Sequence, residues 1–242
     1  MHFGGSLPWT ISPCIMIGCA FVTPAAERTY TPKDRLNDAA LGGHKFQGII
    51  AIEGSAMSPI TKIRATLDDL HKVNGKAELV GGRIKRFMPS GRLPSRVALR
   101  IAMSLDTHAR DTGEGEAFGD GIGYAVPELP SGRESFSPDA SFYSGPLGPD
   151  PMRFIDGPPI FAAEVRSEND YGGAAEAEMA AKRTDYFLAG TQVVWDVDPV
   201  AGEIHAYRGS DPSRPRTFRG REITDGEPAV PGWRVRVSDL FE

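Results

Sequence analysis

Two short apolar runs separated by one helical segment set the architecture of this chain. Pro159–Arg166 contains Ile160-Phe161-Ala162-Ala163, and Thr191–Val197 contains Val193-Val194-Trp195. Short, continuously apolar runs bounded by turn residues fit strands covered on both faces. Between them a helix is expected from about Ala174 to Ala189, stopped by Gly190, a good residue for the left-handed position that ends helices. A strand–helix–strand crossover with a central sheet is implied. The Asp198-Pro199 turn then leads into a hairpin strand, Gly202–Arg208, and Gly232–Val237 reads as a short closing strand.

Upstream, turn signals again separate apolar runs. Ala77–Val80 and Arg83–Met88 flank Gly81-Gly82, a two-residue loop suited to a tight hairpin because glycine tolerates positive φ. Leu93, Val97, Ile101 and Leu105 recur at every fourth position, with Pro94 in the first turn, so a helix is expected up to about Gly113. Glu116–Val126 reads as a pair of strands around the Asp120-Gly121 turn, Pro127–Ser137 as a polar loop, and Asp139–Tyr143 as a further strand.

The first 56 residues hold no sustained period. They are expected to be a poorly structured N-terminal extension, either a loose arm or a stretch upstream of a true start at Met57, with one domain over residues 57–242. The chain has 242 residues, enough for one large domain or one with an appendage. The formal net charge is −5, so there is no overall basic surplus for holding nucleic acid, and any phosphate contact must be local. Two cysteines, Cys14 and Cys19, make no disulfide framework, which suits a reducing, cytoplasmic setting. The longest apolar stretch, Ile11–Val22, is interrupted by Pro13 and Gly18 and falls short of the roughly 18 residues that a membrane span needs, so no membrane association is expected.

Several common sites are excluded by spacing. The chain lacks a phosphate-binding G-x-x-x-x-G-K-[ST] loop, an H-E-x-x-H zinc helix and a G-x-S-x-G nucleophile elbow. Its five histidines are scattered, with His108 expected on a helix surface and His205 on a strand. The sharper signal is acidic. Asp139 opens one expected strand, and Glu164 follows the apolar run of another, where an ionised carboxylate is costly unless paired or bound to metal. Two carboxylates on neighbouring strands can converge on one Mg²⁺, which polarises a phosphoryl oxygen and acidifies a water.

Strand alternation places Arg166 on the face of Glu164, where a guanidinium offsets phosphate charge but is too basic to accept a proton. Its alternative is a salt bridge to Glu168 or Asp170. On the following helix Glu178, Lys182 and Tyr186 share one side, so Lys182 either reaches the cleft or pairs with Glu178. Trp195 is expected in the core, with Asp196 and Asp198 at an exposed strand end. Arg83, Lys85, Arg86, Arg92, Arg96 and Arg100 form a stretch without acids, and Arg214, Arg216, Arg219 and Arg221 form a second. Each is either a phosphate-contacting surface or a solvated face.

Six pieces in order over about residues 62–242 resemble the Uma-type family of restriction-endonuclease-like proteins, a branch of the PD-(D/E)xK nuclease superfamily. They are Glu78–Ile84, Pro138–Phe142, Glu164–Ser167, Lys182 with Tyr186 and Gly190, Val194–Pro199, and Val230–Trp233 with Leu240-Phe241. Arg83 stands where the family commonly has an acid, and Pro94-Ser95 where it often has a histidine. The resemblance implies an α/β fold with a restriction-endonuclease-like core, a mixed central β-sheet flanked by helices. It further implies Asp139 and Glu164 as metal ligands, Lys182 in the lysine role, and Glu78 as an additional acid of the site.

The resulting expectation is a Mg²⁺-dependent DNA endonuclease, Mn²⁺ being an alternative ion, with Asp139, Glu164, Lys182 and Glu78 catalytic. Arg83, Lys85, Arg86, Arg92, Arg96 and Arg166 are the expected DNA contacts. A homodimer is expected by analogy, since two cuts in a duplex favour two sites. The rival expectation is a nuclease-fold module that binds nucleic acid or a protein partner without cleaving.

Overall fold

The computed structural model describes residues 64–242. The extension expected over residues 1–56, the start at Met57 and both cysteines lie outside the described residues. Helix α1 (Leu67–Leu70) is closed by a capping box in which Thr66 and Asp69 exchange bonds. A hairpin of β1 (Ala77–Val80) and β2 (Arg83–Arg86) follows, turning as expected on Gly81 and Gly82, both at positive φ. Helix α2 (Arg92–Thr112) ends on left-handed Gly113 and buries Val97, Ala98, Ile101, Leu105 and Ala109 along one stripe.

Next come β3 (Glu116–Gly119), β4 (Tyr124–Ala125), β5 (Ser135–Phe136), β6 (Ala140–Tyr143), β7 (Ile155–Asp156) and β8 (Phe161–Val165). Helix α3 (Gly173–Ala189) ends on left-handed Gly190 and leads into β9 (Val193–Asp198) and β10 (Glu203–Arg208). The chain closes with β11 (Asp211–Arg219), β12 (Ile223–Gly226), β13 (Val230–Arg236) and α4 (Val237–Phe241). Among these elements no helix is long and apolar enough to cross a membrane.

The central sheet has six strands in the order β11-β10-β9-β8-β6-β3. Strands β8 and β9 are parallel across the α3 crossover, and the other neighbours are antiparallel. It is the mixed sheet flanked by helices that the sequence leads one to expect. Alternation gives the sheet two chemical faces. Ala163, Val165, Trp195 and Val197 pack with α2, α4 and Trp233, where the Trp195 and Trp233 rings stack 4.9 Å apart. Ala162 and Val194 face the other way, toward Tyr186 of α3.

Three local expectations fail. Strands β3 and β4 do not pair with each other: β3 joins the central sheet beside β6, whereas β4 lies between β5 and β7 in a small separate sheet. Residues 127–137 are not simply a polar surface loop, because Arg133, Ser135, Phe136 and Ser137 are all buried. Asp196 is no exposed strand end. It is buried beneath Arg166 and Arg183, and the turn function falls to Asp198, whose Oδ1 accepts from the Val200 and Ala201 amides.

Candidate active site

The sheet register brings the two expected acids together. The β6–β8 ladder ends at Ala140 paired with Ala163, so Asp139, just before β6, and Glu164, the next residue of β8, meet at that end of the ladder, close enough for the Asp139 charge to act on Glu164. The Asp139 amide donates to the Ala163 carbonyl at 3.1 Å, and Asp139 Oδ2 accepts from the Val165 amide at 2.8 Å, which fixes that carboxylate to the backbone of β8.

Helix α3 covers Glu164. Lys182 Nζ lies 2.8 Å from Glu164 Oε1 and 2.8 Å from Glu78 Oε1, so one ammonium joins a strand acid to a hairpin acid. One turn on, the Tyr186 hydroxyl donates to Glu164 Oε1 at 2.6 Å. Glu178 is engaged by Lys85 rather than Lys182, which removes the surface-pair alternative for Lys182. Among the described residues, no hydrogen bond reaches Glu164 Oε2.

Glu78 is fully buried in a second set of charges. Arg133 Nη1 donates to Glu78 Oε2 at 2.5 Å, Arg133 Nε donates to Asp185 Oδ2 at 2.9 Å, and the Ser137 amide donates to Glu78 Oε1 at 3.0 Å. The hairpin is thereby tied to α3 through two independent cations. Burial opposes ionisation of Glu78, but the charges of Lys182 and Arg133 outweigh it and hold the carboxyl down to about 2. Glu164 moves the opposite way. Burial raises its pKa, the neighbouring charge of Asp139 adds to the rise, and Lys182 offsets only part of it. Burial lowers the pKa of Lys182, yet Glu164 and Glu78 raise it further, so the ammonium holds its proton.

Arg166 shares the face of Glu164 but is fully engaged elsewhere. Its guanidinium forms a bidentate pair with Asp196, at 2.7 and 2.9 Å, and also contacts Glu176. Glu168 and Asp170, the partners expected for it, are not those it uses. Asp170 instead accepts from the amide and hydroxyl of Ser167.

Asp139, Glu164, Glu78 and Lys182 all line one cleft of about 960 Å³. Lys85 and Arg86 also line it, whereas Arg83, Arg92 and Arg96 are exposed residues outside its lining. Arg100 turns back to the Leu240 carbonyl. Two residues that sequence reasoning missed belong here. Arg133 sat in an apparent polar loop, and Lys76, just before β1, carried no motif signal; its Nζ lies 2.5 Å from Asp139 Oδ1. The Phe87 ring packs among the ammonium groups of Lys76, Lys85 and Lys182, with centroid distances of 5.4–6.0 Å.

The donor set fits a hard divalent cation in part. Among the described residues no group of three or more His, Cys, Asp and Glu side chains is arranged to hold a metal. The cleft instead offers two neighbouring carboxylates, Asp139 and Glu164, and Glu164 Oε2 is free of hydrogen bonds from those residues. Mg²⁺ commonly binds through one or two carboxylates and keeps several waters.

Comparison with known proteins agrees with this fold. A solved crystal structure of a "putative nuclease belonging to DUF820" from Anabaena variabilis ATCC 29413 matches with a TM-score of 0.56 and 20% identity, covering 73% of this chain and 97% of that one. No curated protein matches. A family model described as "Uma2: Putative restriction endonuclease" matches residues 66–238, which span the hairpin, the six-stranded sheet, α3 and every residue of the cleft named above. By that match, the chain belongs to the Uma2 family.

Proposed function

We propose that the protein is a divalent-metal-dependent endonuclease that hydrolyses phosphodiester bonds in DNA. The observation that carries this reading is the meeting of Asp139 and Glu164 at the end of the β6–β8 ladder, with Lys182 on Glu164, in a cleft with Lys85 and Arg86 in its wall. Asp139 and Glu164 would hold Mg²⁺ or Mn²⁺. When bound, the ion would polarise a phosphoryl oxygen and acidify a water.

The protein's own groups define the rest. Lys182 keeps its proton, so it serves as a charge donor to the phosphate and a brace for Glu164 rather than as a base. Tyr186 is held far above its ordinary pKa by burial and by the charge of Glu164, so its hydroxyl orients that carboxylate and does not release a proton. Glu78 is held by Lys182, Arg133 and the Ser137 amide, and its role is to position Lys182. Lys85, beside Glu178, and Arg86, bonded to the Asn74 carbonyl, are half on the surface of the cleft and would turn to backbone phosphates, and Arg83, Arg92 and Arg96 extend the basic surface outside it.

Plasmid nicking tests the reading. Supercoiled DNA should be cut in Mg²⁺ or Mn²⁺, spared in EDTA, and spared by the Asp139→Ala protein. Binding without cleavage in any divalent ion would favour the non-cleaving module, and full activity of Asp139→Ala would remove the site.

A further inference from the structure

Lys76 holds the oxygen of Asp139 that an incoming cation would use. Asp139 Oδ2 is bonded to the Val165 amide, and the remaining oxygen, Oδ1, lies 2.5 Å from Lys76 Nζ. The same ammonium is 2.7 Å from Oδ1 of Asp120, an acid in the turn after β3. These two acids differ in setting. The Asp139 side chain is 13% exposed and fixed to the sheet, whereas that of Asp120 is 54% exposed. Lys76 itself is 19% exposed and close enough to feel the charge of Glu164.

We infer that Lys76 is a tethered competitor for the cation at Asp139 and Glu164, and that Asp120 is the acid that retains it when the cation enters. This inference rests on the metal-site reading above. A unit positive charge a few ångströms from a divalent ion opposes binding even at the dielectric of water. Loading therefore requires the ammonium to leave Asp139 Oδ1, and Asp120 supplies a second partner already within reach. The arrangement keeps buried acids neutralised before metal arrives and sets a threshold of metal concentration for activity.

Mn²⁺ binding to the full chain without DNA, followed by calorimetry and by electron paramagnetic resonance of the free ion, tests the inference. Lys76→Met and Lys76→Gln should each bind Mn²⁺ at least about tenfold more tightly than wild type. Asp120→Asn should weaken binding several-fold in the wild-type background and change it little beside Lys76→Met, because Asp120 acts through the lysine. Equal or weaker Mn²⁺ affinity in both folded Lys76 variants would overturn the inference and leave the metal site standing. Absence of Mn²⁺ binding from wild type and both variants would overturn the inference and the metal-site reading together.

Discussion

Glu164→Gln should lower plasmid cleavage by roughly a hundred- to a thousandfold while the protein melts no lower than wild type at neutral pH. Glutamine keeps the length of the side chain and an oxygen for the Tyr186 hydroxyl, so the buried geometry around α3 survives. What it removes is the negative charge shared between Lys182 and the cation. The stability half follows from the sign of the shift. Glu164 has a raised pKa, so the folded chain binds its proton more tightly than the unfolded chain does. Ionisation of Glu164 therefore subtracts from stability as pH rises from the ordinary value of 4.5 through the raised one. Neutral glutamine removes that penalty. Steady-state nicking with Mg²⁺, beside a calorimetric melt, reads both halves, and undiminished cleavage would take Glu164 out of the reaction.

Arg133→Met should cost about 3–5 kcal/mol, because it leaves two buried acids without their shared cation. Both carboxylates lie almost wholly out of water, Glu78 with a side chain 1% exposed and Asp185 with one 6% exposed. For a folded unit of this size the loss corresponds to a drop in Tm of about 10 °C. Asp185→Asn in the same protein should recover part of it, since one orphaned charge is then gone. A loss below about 1 kcal/mol would mean that the hairpin does not depend on this network.

Acid unfolding reports on the same group. The Glu78 carboxyl sits at about 2 in the folded protein against an ordinary 4.5, so its contribution is present above pH 4.5 and is lost as pH falls toward 2. Arg133→Met removes one of the two charges that hold Glu78 down, so stability measured by denaturant titration should fall less steeply across that window.

The crossover at the heart of the sheet was legible because its signals are local. The apolarity of β8 and β9 marks strands buried on both faces, and Gly190 marks the end of α3. The edge strand β11 was not legible. Asp211–Arg216 are all exposed, so neither apolar alternation nor a buried run announces that segment. The misread polar segment at residues 127–137 has a related cause. Arg133 is polar by type and buried by partnership, and its partners come from β1 and α3, 55 and 52 residues away.

The site divides in the same way. Residue type and strand ends singled out Asp139 and Glu164, but their meeting depends on β6 pairing with β8, a contact that neither segment announces locally. Lys182 was visible as a lysine on the crossover helix, though its choice of Glu78 and Glu164 over Glu178 arises only when the hairpin docks. Lys76 offered no signal, since a lysine before a short strand reads as solvated until Asp120 and Asp139 close around it.

Anomalous scattering from crystals soaked in Mn²⁺ tests most directly whether Asp139 and Glu164 share one ion. The expected result is a single strong peak about 2.0–2.4 Å from an oxygen of each carboxylate, with Lys76 withdrawn toward Asp120. A peak bound to only one of the two acids, or none at saturating Mn²⁺ with both lysines still on their carboxylates, would contradict metal-assisted hydrolysis at this site.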